Sequence, residues 1–201
     1  MNFDLRKYVI AALLTALVWL MALTPLGYIP LFGVDVTLLC IPVIVGTCAL
    51  GVQYGLFLGF MFALTSLFMA LMGRAGDLLA PLLDFPLAMY PIIFLPRLLI
   101  PIVTWLVYKK TNKLKAPFSY GLSSLAGSLV NTLFFLGLAY ILGSKPLMES
   151  YNINNSDLLA ALGGIVKSNG LLEAAVAVIV CVPILLVLRK IFDKDAGSLE
   201  R

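Results

Sequence analysis

From Arg6 to Leu23 the chain reads RKYVIAALLTALVWLMAL, two basic residues followed by sixteen with no charge at all. An uncharged apolar run of about 20 residues, wound as a helix, matches the hydrocarbon thickness of a bilayer. A membrane barrel would instead show alternating segments of about ten. Similar runs recur down the chain. Of its 201 residues 62% are hydrophobic and only 12% charged, and the mean hydropathy is +1.05. A soluble domain carries roughly 25% charged residues and must turn much of its surface to water, so here the bilayer is the solvent. The expected fold class is all-α integral membrane, one transmembrane domain over residues 1–201. The Arg6–Lys7 opening has the charge of a signal peptide. Further spans follow, however, and no clear small-x-small cleavage site closes the run, so it reads as a retained first helix.

Walking outward from that run, the sequence predicts six spans. They lie at about Arg6 to Leu23, Val36 to Leu50, Gln53 to Met72, Phe85 to Tyr108, Pro117 to Leu142, and 165–191. The last belongs to an apolar stretch beginning at Leu158, longer than a bilayer needs. Its start therefore reads as a separate turn or short helix, with Gly163-Gly164 and Gly170 as the natural breaks. Thr24 to Asp35 and Gly73 to Asp84 are the longer connections. Thr24 to Asp35 is too rich in Pro and Gly for helix yet too apolar for a plain solvated linker. Gly51 to Gly55 is a tight, uncharged turn. Basic residues set the orientation. Arg6, Lys7, Lys109, Lys110, Lys113, Lys115, Arg189, Lys190, Lys194 and Arg201 fall on one side of a six-span chain, and only Arg74, Lys145 and Lys167 on the other. That predicts cytoplasmic N and C termini, with the longer loops and their recognition outside. The net charge of +4 then reports topology and anionic lipid headgroups rather than nucleic acid.

Arg97 is the most informative residue. It stands in Ile93-Phe-Leu-Pro-Arg-Leu-Leu-Ile-Pro101, deep in the fourth span. An arginine near mid-bilayer costs about 2.5–3.5 kcal/mol on insertion scales, so it must face the protein interior or a wet cavity. Pro96 and Pro101 loosen the helix around it and free backbone carbonyls. A planar guanidinium suits bidentate capture of a carboxylate; an internal pair with Glu173 is the other reading. Asn131, at comparable depth in the fifth span, is a second candidate contact, against a plain helix–helix hydrogen bond. Asn169 and Glu173 are four residues apart and share a helix face. They line the same site, or else Glu173 neutralises Arg97 or Lys167. Tyr90, toward the outer end of the Arg97 helix, packs on a ligand or anchors the interface. On the first helix Ala12 and Ala16 form a small-x-x-x-small pair that admits a close neighbour.

Some chemistries are excluded or disfavoured. The chain contains no P-loop, no histidine, and no pair of carboxylates at a common depth, which argues against ATP hydrolysis, metalloproteases and Ser-His hydrolases. Cys40, Cys48 and Cys181 sit in apolar stretches without CxxC spacing and read as packing residues rather than a metal site or disulfide. The expectation is a protein with no catalytic residue, no metal and no cofactor.

Thr24-Pro-Leu-Gly-Tyr-Ile-Pro, the segment Thr37 to Gly51, and Gly55-x-x-x-Gly59-Phe-x-Phe-x-Leu-Thr-Ser66 carry a resemblance. With Ala12-x-x-x-Ala16 and the six-span length, they resemble the substrate-binding S component of energy-coupling factor (ECF) vitamin transporters. The resemblance implies a six-helix bundle in the bacterial cell membrane that binds one vitamin from outside. It also implies partners, namely a transmembrane coupling subunit and two ATPases, against which the S component topples to release its vitamin. Ala12 and Ala16 would be the docking contact. The chain looks most similar to the pantothenate-specific members, in which an arginine on helix four and an asparagine on helix five are associated with the ligand; Arg97 and Asn131 correspond. Pantothenate has one carboxylate, an amide and two hydroxyls, which suits a guanidinium and an amide, whereas riboflavin lacks a carboxylate and favours stacking. Another vitamin such as riboflavin, or outside the family a six-span membrane scaffold, is the alternative.

Overall fold

Gly51, at φ 105°, reverses the chain between two helices in one residue, a conformation open to glycine because it has no Cβ. The computed structural model describes residues 3–24, 27–31, 34–74 and 78–198. The Pro25, Leu26, Phe32 and Gly33 part of the first long connection, Ala75 to Asp77 of the second, and Arg201 lie outside the described residues. The elements are α1 (Phe3–Leu23), β1 (Tyr28–Leu31), β2 (Val34–Thr37), α2 (Cys40–Leu50), α3 (Val52–Leu71), α4 (Pro86–Thr111), α5 (Ala116–Tyr151), α6 (Asn155–Ile165) and α7 (Leu171–Ser198). A 3-10 turn at Ala80–Leu82 precedes α4, and a π-helical turn at Val166–Gly170 joins α6 to α7.

The helical expectation holds, with two amendments. The first is a β-hairpin, in which β1 and β2 pair antiparallel, Tyr28 opposite Thr37 and Leu31 opposite Val34. It occupies the Pro/Gly-rich connection that could not be helix. The second concerns the span expected from Val36 to Leu50. Val36 and Thr37 belong to β2, and the helix begins only at Cys40. Eleven residues rise about 16 Å, roughly half a bilayer. Ten of those eleven are buried, as befits a helix that is apolar all round. Among the described residues, five helical stretches are long and apolar enough to cross a membrane, and α2 is a short helix enclosed by them.

One helix runs well past the end that the sequence suggested. Helix α5 passes the expected end at Leu142 and continues to Tyr151, since Pro146 removes one backbone hydrogen bond without ending the rod. It stops where Asn152 turns left-handed at φ 51°. Asn154 then caps α6: its Oδ1 accepts from the Asp157 N–H at 2.9 Å, and an Asp157 carboxylate oxygen accepts from the Asn154 N–H at 3.4 Å. Gly163-Gly164 do not break the helix. The irregularity comes just after them, at Val166–Gly170, where the helix loosens to π geometry without stopping.

The core forms around α2. Val43 and Ile44 are fully buried against Val18, Leu58, Phe62, Ile100, Ala177 and Cys181. All three cysteines are buried and unpaired with one another, packing as small apolar residues. A second cluster ties Leu158 and Leu162 of α6 to Leu136, Ala139 and Leu147 of α5. Leu13, Leu71, Leu87, Ile141 and Ile179 point outward, as helices bathed in lipid require. The bundle thus has a hairpin end, bearing β1 and β2, and a lysine-rich end, where α4 turns into α5 through Lys109 to Lys115.

Candidate functional site

A proline in a helix has no N–H to give the carbonyl four residues earlier. Pro96 therefore frees the carbonyl of Ile92, and Arg97 takes it: Nη1 donates to Ile92 O at 3.2 Å. The pair Pro96-Arg97 is one device, in which the proline creates the acceptor that fixes the neighbouring guanidinium. Pro101 repeats the effect one turn on and frees the Arg97 carbonyl, which faces α3. A Cβ built on Gly59 would come within 2.5 Å of that oxygen, so α3 approaches α4 here only because residue 59 is glycine.

The guanidinium is buried and lies between two aromatic rings, Phe135 of α5 with its centroid at 4.7 Å and Phe62 of α3 at 5.3 Å. Aromatic faces attract a cation through their quadrupole, most strongly where water is excluded. Rings near a planar guanidinium favour donors directed along its own plane, which suits the two-pronged recognition of a carboxylate. Asn131 is one turn before Phe135 on the same face of α5, and it too is buried.

Glu173 joins this cluster from α7. One carboxylate oxygen accepts from the Thr37 N–H at 2.9 Å, and the other accepts from the Thr132 hydroxyl at 3.1 Å. Thr37 ends β2 and stands just before α2, so Glu173 ties the hairpin to α5 and sits near the N-terminal end of α2, where an anion is favoured. The Arg97 charge is within electrostatic reach. Replacing Glu173 by alanine is expected to leave the Thr37 N–H and the Thr132 hydroxyl without their acceptor, costing about 1–3 kcal/mol. The check is a lowered melting temperature of the detergent-solubilised protein, with glutamine recovering part of the loss.

The other candidates are more dispersed. Tyr90 lies two turns from Arg97 toward the hairpin end and is half-exposed. Asn169 sits in the π turn, half-buried, with Oδ1 accepting from the Ser168 hydroxyl at 2.9 Å. Gly170 of the same turn packs against Thr132. A cavity of about 860 Å³ lies away from this cluster, on the flank of the bundle. There Ala12 and Ala16 form an exposed floor with Thr15, walled by Trp19 and Tyr8 of α1 and by Gln53, Tyr54 and Phe57 of α3. Tyr8 meets Tyr54 edge-on at 6.1 Å, and Trp19 meets Phe68 at 6.0 Å, pinning α1 to α3.

Sequence reasoning did not single out Phe62, Phe135, Thr37 or Thr132. Phe62 stood in the quoted Gly59-Phe-x-Phe motif and Thr132 beside Asn131, and those positions were the available signals.

Against this geometry, comparison with known proteins is direct. The family ECF transporter, substrate-specific component, matches residues 6–185. The chain belongs to that family. It is therefore a multi-pass protein of the bacterial cell membrane and the substrate-specific part of a transporter, not an enzyme. The S component is 33% identical over 169 residues to the pantothenic acid transporter PanT of Lactococcus lactis subsp. cremoris, covering 79% of this chain and 80% of that protein. It is 29% identical over 190 residues to the pantothenate transporter PanT of Leuconostoc mesenteroides subsp. mesenteroides, covering 89% and 90%.

Proposed function

We propose that this S component binds pantothenate, with the vitamin's carboxylate on Arg97 and Asn131 contacting its polar body. The observation that carries the reading is the buried guanidinium between Phe62 and Phe135, anchored by a carbonyl that Pro96 frees. A site made this way is costly to build in lipid and matches a single carboxylate better than an uncharged ring system. The likeness to two proteins named as pantothenate transporters supports the same ligand. Glu173 acts in this scheme by holding the hairpin over the site, and Tyr90 and Asn169 lie at its margins toward the hairpin end.

The lysine-rich end faces the cytoplasm with both termini, since basic residues are retained on that side, and the hairpin end faces outward. The chain then crosses six times, the second pass being the buried α2 together with its hairpin. Pantothenate enters from outside. The groove at Ala12 and Ala16 receives the transmembrane coupling subunit, two ATPases supply the energy, and the S component topples to release its ligand inside.

The reading is tested by equilibrium binding of radiolabelled pantothenate to the purified chain, with unlabelled riboflavin as competitor. Saturable binding of one pantothenate that riboflavin does not displace is the expected result. No binding, or displacement by riboflavin, overturns it. Pro96→Ala supplies an N–H that competes for the Ile92 carbonyl. That variant is expected to keep or raise the melting temperature while binding pantothenate roughly three- to tenfold more weakly, the worth of about one hydrogen bond.

A further inference from the structure

A hydroxyl on a membrane helix ordinarily bonds back to the carbonyl one turn earlier. This chain follows the habit at Thr47 to Val43 O, Ser123 to Ser119 O and Ser124 to Tyr120 O. Ser128, the next residue along the same face of α5, does not. Its Oγ is buried and, apart from the Cys40 thiol, meets no hydrogen-bond partner among the described residues, and Asn131 Oδ1 one turn further on meets none. The Cys40 thiol lies beside Ser128, but a thiol is a weak donor and a weak acceptor. Buried polar atoms in native proteins are almost always satisfied, and two exceptions on successive turns of one helix face point to a ligand.

Their chemistry fixes which part of the ligand. Asn131 Oδ1 only accepts, and an ionised carboxylate has no proton to give. The ligand group opposite it must therefore carry O–H or N–H. Arg97, by contrast, only donates, and it lies at the level of Phe135, seven residues beyond Ser128. Seven helical residues rise about 10.5 Å. An extended pantothenate spans roughly 9–10 Å from carboxylate to terminal hydroxyl, taking three bonds per 3.3–3.6 Å.

We propose that Ser128, with Asn131, receives the hydroxyl-bearing end of the ligand, so that pantothenate lies along α5 with its carboxylate toward the hairpin end and its hydroxyls toward the lysine-rich end. This assignment rests on pantothenate as the ligand. Thr104 Oγ1 is another buried hydroxyl with no hydrogen bond among the described residues, but it is pressed against Gly127, at a helix–helix contact, and serves as the control.

The test measures affinity for two ligands, pantothenate and the analogue whose terminal hydroxymethyl is replaced by methyl. Wild type is expected to prefer pantothenate. Ser128→Ala weakens pantothenate roughly five- to tenfold, about one hydrogen bond, while changing the analogue less than about twofold, so the preference collapses. Ser128→Cys keeps the volume, weakens the hydrogen bond and gives an intermediate loss. Thr104→Val leaves the preference unaltered. Tight pantothenate binding whose preference survives both Ser128 variants, or an equal loss for both ligands, overturns this assignment alone. Failure of wild type to bind pantothenate overturns the ligand and the orientation together.

Discussion

Arg97→Ala is expected to reduce pantothenate binding by roughly 30- to 4000-fold while the protein still inserts and folds. Losing one partner of a buried, hydrogen-bonded charge pair costs about 2–5 kcal/mol, and each 1.4 kcal/mol is a factor of ten. The variant also removes the cation from between Phe62 and Phe135, two rings that remain compatible with an apolar neighbour. Arg97→Lys is expected to be intermediate and nearer to alanine, because an ammonium keeps the charge but not the planar fork. Equilibrium dialysis of the purified variants reads the effect, and the melting temperature confirms that the bundle survives. Unchanged affinity in Arg97→Ala would remove the guanidinium from the site.

Ala12→Trp and Ala16→Trp are expected to do the opposite, preserving ligand binding and abolishing transport. Both alanines are exposed on the floor of the groove between α1 and α3. Small residues there let a partner helix approach closely, and an indole would fill that approach. The ligand cluster draws its residues from α3, α4, α5, α7 and the end of β2, so binding should hold. ATP-driven uptake of labelled pantothenate, measured with the coupling subunit and ATPases present, should fall to background in either variant. If uptake continues with a tryptophan at both positions, α1 is not the docking face.

Much of this molecule can be read from residue types, and the failures have physical causes. The long helices follow from uncharged runs near bilayer length, and the α2–α3 reversal from Gly51. The start of α2 could not be read, because Val36-Thr37-Leu38 is apolar and β-branched and suits a strand as well as a helix. The length of α5 was hidden by Gly143 and Pro146, which look like terminators, yet a single proline costs a helix one hydrogen bond when packing holds the rest. In the site, Arg97 and Asn131 were visible because a polar side chain in a bilayer needs a reason. Phe62 and Phe135 were not, since an aromatic in an apolar span is unexceptional. Nor was Thr37, since the backbone N–H it gives Glu173 is one that any residue but proline carries.

The central claim is that a buried guanidinium recognises the vitamin's carboxylate. The most direct measurement compares pantothenate with panthenol, in which a neutral hydroxymethyl replaces the carboxylate, on wild type and on Arg97→Met. Wild type should prefer pantothenate by about 100-fold or more, as a desolvated charge pair implies, and Arg97→Met should bind the two alike. Equal binding of both by wild type, or a preference that persists without the arginine, would contradict the account.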